Sequence, residues 1–135
     1  MARVELGKRT GSFAPGIAVD AKRLVFVSGN VAVDAGGQIV GKGDVGAQTR
    51  QIFRNIEAVL AEAGATLRDI VKITTFIVPM ERYAEFAAVR AEVFDGQYPA
   101  SATVGVASLV SPDYLIEIEA IAAVEAGQQG VMGNE

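Results

Sequence analysis

Glu117 and Glu119, two residues apart in "LIEIEAIA", are the first side chains whose type and spacing suggest chemistry. Side chains alternate across a strand, so the two carboxylates share one face while Ile116 and Ile118 share the other. Carboxylates about 6.5 Å apart on a strand face repel one another, and a carboxylate in such a setting can act as a general base toward water. The plainer reading, in which both are solvated or salt-bridged at an edge or interface, stays open beside it.

Three further stretches carry polar groups in apolar surroundings. "VSGN", residues 27–30, offers turn N–H groups from Ser28 and Gly29 to a carboxylate or carbonyl oxygen, or else places a glycine where a β-bulge requires one. In "YPAS", residues 98–101, Pro99 enforces an extended approach to a strand, and the Ser101 hydroxyl either binds a ligand or solvates the strand start. Arg90 follows Tyr83 by seven residues and so lies near the apolar side of a helix. It must snorkel, meet an acidic partner, or serve as a bidentate anchor for a substrate carboxylate.

The chain has neither Cys nor His, which removes thiol nucleophiles, disulfides, imidazole bases and nearly all zinc or copper sites. No metal and no cofactor is expected, and any catalysis rests on carboxylates, hydroxyls, Arg, Lys or backbone groups. Neither a His nor a G-x-S-x-G elbow accompanies any serine, which argues against a serine hydrolase too. A net charge of −4 without a basic stripe argues against a nucleic-acid partner. The N-terminus lacks the apolar segment of a signal peptide, and no apolar run reaches the ~18–20 residues of a membrane span. A cytoplasmic protein with no membrane partner is the expectation.

The elements that must position these residues follow from periodicity. Residues 23–33, "RLVFVSGNVAV", read as a strand ending in a turn or bulge, and "DAGGQIVG" as a turn with a short returning strand. Ile52, Ile56, Val59, Leu60 and Ala63 recur at three- and four-residue steps, predicting an amphipathic helix over 46–63 that stops at Gly64. Residues 69–78 form the clearest strand, closed by Pro79, and a second helix spans 81–94. Strands at 101–109 and 114–124, read as a pair joined by a short turn, end the domain. One domain over 1–124 and a loose tail over 125–135 are predicted, with the two helices on one face of the sheet. Neither face of the terminal strands is convincingly polar, which predicts a symmetric homo-oligomer formed through the open face.

The succession "LVFVSGN", "TRQIFRNIEAVLAEAGATLRDIVKITTFIV", "FAAVRAEVF" and "YPASATVGVASLVSPDYLIEIEAIAAV" resembles the Rid family, the reactive intermediate deaminases also called YjgF-like or L-PSP proteins, over about residues 11–124. The resemblance implies a chorismate-mutase-like α/β (α+β) fold assembled as a homotrimer with ligand sites at the subunit clefts. It also implies hydrolysis of enamine or imine intermediates to keto compounds and ammonia. Glu117 matches the family's water-positioning Glu, and Ser28 and Gly29 match its ligand-contacting turn. Ser101 stands where the family's carboxylate-binding Arg would be. Phe13 or Pro15 occupies the position of its N-terminal Tyr, neither with a hydroxyl, and Arg90 stands at a helix position where archetypal members have Asn. The implied function is an enamine/imine deaminase acting on a substrate other than the smallest 2-imino acids, 2-aminomuconate-like among the candidates. Glu117 would hold the water, with Ser28, Gly29, Ser101, Arg90 and Phe13 binding substrate. The alternative is a non-catalytic trimeric module binding a metabolite or protein in the same cleft. A ribonuclease activity, ascribed to some relatives, fits this acidic, His-free chain least.

Overall fold

The computed structural model describes residues 3–125, and the predicted tail at 125–135 lies outside them apart from residue 125. A four-stranded sheet is built from β3 (Arg23–Asn30), β4 (Ile70–Ile77), β5 (Ala100–Gly105) and β6 (Ile116–Val124), in the order β3-β6-β4-β5. Two short N-terminal strands, β1 (Arg3–Leu6) and β2 (Gly16–Val19), pair with each other in a separate antiparallel ribbon. Neither is legible as a strand in the sequence, because four residues carry too little alternation to stand out.

Helix α1 (Val45–Ala61) matches its predicted span closely. Asp44 caps it by accepting from the Ala47 N–H at 2.9 Å, and Gly64, at φ 72°, turns the chain away beyond its end. Its stripe of Ile52, Phe53, Ile56 and Leu60 is buried against the sheet. Helix α2 (Tyr83–Phe94) starts two residues later than expected, since Met80–Arg82 form a 3-10 turn. Both helices cover the sheet face that carries Ile73 and Ile77 of β4 and Ile116, Ile118 and Ala120 of β6.

The terminal strands correct one expectation. β5 and β6 are not a hairpin, because β4 lies between them, antiparallel to β6 and parallel to β5. β5 also ends at Gly105 rather than 109, and residues 106–115 cross back as a loop. The stretch after β3 pairs back only through a single bridge, Val33 to Ile39.

The face of the sheet away from the helices is open. Phe26, Leu24 and Val104 are 70%, 51% and 45% exposed there, Phe26 in the row of Ile121, Leu24 in that of Ala123, and Val104 in that of Phe76 and Glu117. Among the described residues no helix is long and apolar enough to cross a membrane.

Candidate functional site

The open face holds the carboxylates. Register places Glu117 opposite Phe76 and Glu119 opposite Thr74, so both point away from the helices, Glu117 half-buried and Glu119 exposed. β3 changes register against β6 between Val27 and Asn30, and Ser28 and Gly29 fall in that irregularity. A Cβ on Gly29 would sit 2.1 Å from Glu117 Oε2, so the carboxylate lies directly over the Gly29 backbone. The bulge reading of "VSGN" is the one the register shows, and the irregular backbone leaves the room that Glu117 occupies.

The other predicted residues gather on the opposite face. Ser101 and Thr103 pair with Ile73 and Thr75 of β4 and thus point to the helix side. Tyr83, Phe86 and Arg90 fall at i, i+3 and i+7 on α2, one stripe facing the free edge of β5. Residues 11–14 run along that edge, where Ala14 bridges Ala100 and donates its N–H to Pro99 O at 2.9 Å, bringing Ser12 and Phe13 in from the side.

At the centre stands Arg90, only 2% exposed. Its Nε donates to Ser12 Oγ at 3.0 Å, Nη1 to Ser101 Oγ at 3.1 Å and Nη2 to Tyr83 Oη at 2.8 Å. The guanidinium carbon lies 5.0, 5.4 and 5.6 Å from the ring centres of Phe86, Phe13 and Tyr83, within cation–π range. Among the described residues its hydrogen bonds go to neutral hydroxyls and it forms no ion pair. A buried cation is ordinarily matched by an anion, because desolvating an unpaired charge is costly. Here hydroxyl dipoles and ring faces hold it instead, and it opens on a cleft of about 360 Å³ lined by Phe13, Met80, Tyr83, Arg90, Ser101 and Thr103.

Arg90 thus does not snorkel, and among the described residues it pairs with no carboxylate. It reaches Ser101 and so puts a guanidinium beside the position where the sequence lacks one. Sequence reasoning missed Ser12, Tyr83 and Thr103 as site residues. The seven-residue step from Tyr83 to Arg90 was a usable signal for the second of these; the other two depend on the edge-strand geometry. A second depression of about 260 Å³ is lined by Arg50, Phe53, Arg54, Glu57, Leu67 and Val93, with Arg50 paired to Glu92. Among the described residues no cluster of His, Cys, Asp or Glu could hold a metal ion.

Comparison with known proteins agrees with this architecture. The family model for endoribonuclease L-PSP matches residues 8–124. A RutC family protein of Pyrococcus horikoshii is 42% identical over 109 residues, covering 80% of this chain and 85% of its own. A protein of Lactococcus lactis named putative regulator AldR is 38% identical over 104 residues, covering 76% and 81%. Among solved structures, that of the Rid family protein YyfB from Yersinia pestis superposes with a TM-score of 0.82 at 33% identity, covering 92% of this chain and all of the other. With the matched model spanning nearly the whole sheet and both helices, the chain belongs to the L-PSP family, the group also known as Rid or YjgF.

Proposed function

We propose that the protein is an enamine or imine deaminase whose carboxylate anchor is Arg90, carried on α2 in place of a β5 arginine. Family membership supports, at the general level, a deaminase or small-molecule-binding role. The observation that carries the finer reading is the buried guanidinium without an anionic partner, aimed with Ser101 into a cleft of metabolite size. A substrate carboxylate entering there supplies the missing countercharge. Charge-assisted hydrogen bonds of this kind contribute about 1.5–3 kcal/mol each.

Glu117 is the water-handling group in this reading, and its position sets a condition. It lies on the opposite face of the sheet from Arg90, so one copy of the chain cannot close both around a single ligand. A site using both takes the Arg90 half from one subunit and the Ser28-Gly29-Glu117 half from a second. The exposed Phe26, Leu24 and Val104 support that association, and a homotrimer is the proposed assembly.

The direct test is ammonia release from enamines and imines generated in situ, compared with buffer. Arg90→Met should raise KM and Glu117→Gln should lower kcat. Turnover unchanged in both variants would sink the reading. Thermal stabilisation by carboxylates with no ammonia release would leave the non-catalytic binding module. Cleavage of RNA draws no support from a cleft whose one cationic lining residue is Arg90.

A further inference from the structure

Protonation is the unassigned half of enamine chemistry. An enamine becomes hydrolysable only after its β-carbon accepts a proton, and this chain has no histidine to supply one. Around the cleft the proton-bearing groups are Arg90 and the hydroxyls of Tyr83, Ser101 and Thr103. Arginine does not give up its proton in proteins, and aliphatic hydroxyls are far weaker acids than a phenol. In the proposed assembly Glu117 enters from a second subunit as the carboxylate that holds the water, a base rather than a proton donor. Tyr83 Oη accepts from Arg90 Nη2 at 2.8 Å, which leaves its own O–H free to donate, and the tyrosine lines the cleft. The same guanidinium stands ready to stabilise the phenolate that donation creates.

From this geometry we infer that Tyr83 is the proton donor to the substrate, a catalytic residue additional to Arg90 and Glu117. The inference rests on the deaminase reading above. The Tyr83 O–H bond breaks as the electron pair of the enamine double bond takes the proton at the β-carbon. The nitrogen lone pair then forms the iminium, and the phenolate is held by Arg90. Water adds to the iminium carbon, the C=N electron pair returns to nitrogen, and the surplus water proton restores the phenol. The carbinolamine then passes its hydroxyl proton to nitrogen and expels ammonia as the carbonyl forms. Enamine and water have become ketone and ammonia, with Tyr83 unchanged.

Wild-type protein and Tyr83→Phe should be compared on two probes: 2-aminobut-2-enoate released from threonine by a dehydratase, and the imine formed from leucine by an amino-acid oxidase. Conversion of the enamine should fall about a hundredfold in kcat with KM little changed, the scale expected for loss of a general acid, while imine hydrolysis falls less than threefold. Recovery of enamine turnover in Phe13→Tyr/Tyr83→Phe, which restores a phenol from the facing wall, supports the assignment. Equal losses on both probes, or unchanged kcat on the enamine, overturn the role of Tyr83 while leaving the deaminase reading in place. Failure of the wild-type protein to accelerate these probes and larger enamines, 2-aminomuconate included, overturns both.

Discussion

Arg90 Nη1 donates to Ser101 Oγ at 3.1 Å, joining a helix residue to a strand residue eleven positions later. A guanidinium and the strand position that lacks one are thus in contact, and the hydroxyl at 101 is an acceptor that orients the cation. Arg90→Met should raise the KM or Kd of a carboxylate ligand about tenfold to a hundredfold, from the loss of one charged contact. Steady-state kinetics or ligand-dependent thermal shift would measure it. The apolar replacement should leave folding stability little changed, because a buried charge costs desolvation that methionine does not.

Ser101→Arg alone forces a second guanidinium against the first, and like charges at contact distance destabilise. Urea unfolding should show a lower midpoint for this variant and recovery in Ser101→Arg/Arg90→Met. Ligand affinity should return with it, since the double variant carries one cation in the same cleft. A single variant as stable as the wild type would contradict the crowding seen around Arg90.

Gly29→Ala tests the seat of Glu117. The new methyl would stand 2.1 Å from Oε2, so the carboxylate must swing away. Because the displaced group is half-buried on an open face, the stability change should stay within about 1 kcal/mol. Activity should drop toward that of Glu117→Ala. Unaltered kcat with a crystallographically displaced Glu117 would remove this carboxylate from the mechanism.

How much of this was legible in the sequence depended on the range of the interaction involved. Helix α1 was readable because Ile52, Ile56 and Leu60 report their periodicity locally. That β4 separates β5 from β6 was not, since no local pattern encodes strand order. Arg90's place near the apolar side of α2 followed from its spacing to Tyr83, but its reach into the cleft was not legible, because its partners Ser12 and Ser101 come from distant segments. The opposite-face placement of Glu117 and Ser101 needs the ladder register itself, which neither strand contains alone.

Gln48 was equally invisible, a polar residue on α1 that is fully buried. Its Nε2 donates to Gly41 O at 3.2 Å and Asp113 O at 2.9 Å, while its Oε1 accepts from the Leu115 N–H at 2.9 Å. It therefore ties two loops to the helix, including the segment that leads into the Glu117 strand. Gln48→Leu should cost about 2–4 kcal/mol by leaving buried backbone groups without partners, read as a lower urea midpoint. Gln48→Glu should also destabilise, because a carboxylate replaces the donor.

Acid stability should carry a small contribution from exposed ion pairs. The Arg50, Arg9 and Arg82 guanidiniums donate to Glu92, Glu5 and Glu85 and hold those carboxyls below their ordinary 4.5. A depressed folded-state value means stabilisation that is present above the unfolded value and lost as pH falls through the folded one. The melting temperature should therefore decline below about pH 4.5, and the decline should be shallower in Glu92→Gln and in high salt, since these pairs are solvent-screened.

The proposed assembly gives the most decisive outcome, because it links shape to activity. Phe26, Ile121 and Lys72 share one row of the open face, and Phe26 is 70% exposed. An aromatic left in water on a sheet face beside Leu24 is what a subunit contact would cover. Sedimentation velocity should show a trimer for the wild type and a monomer for Phe26→Asp, with circular dichroism unchanged because the residue contributes little to the monomer core. Turnover should vanish in the monomer although every residue of the Arg90 cleft is intact, since Glu117 of the same chain cannot reach that cleft through the sheet. An active monomer would mean that Arg90 and Glu117 never act on one substrate.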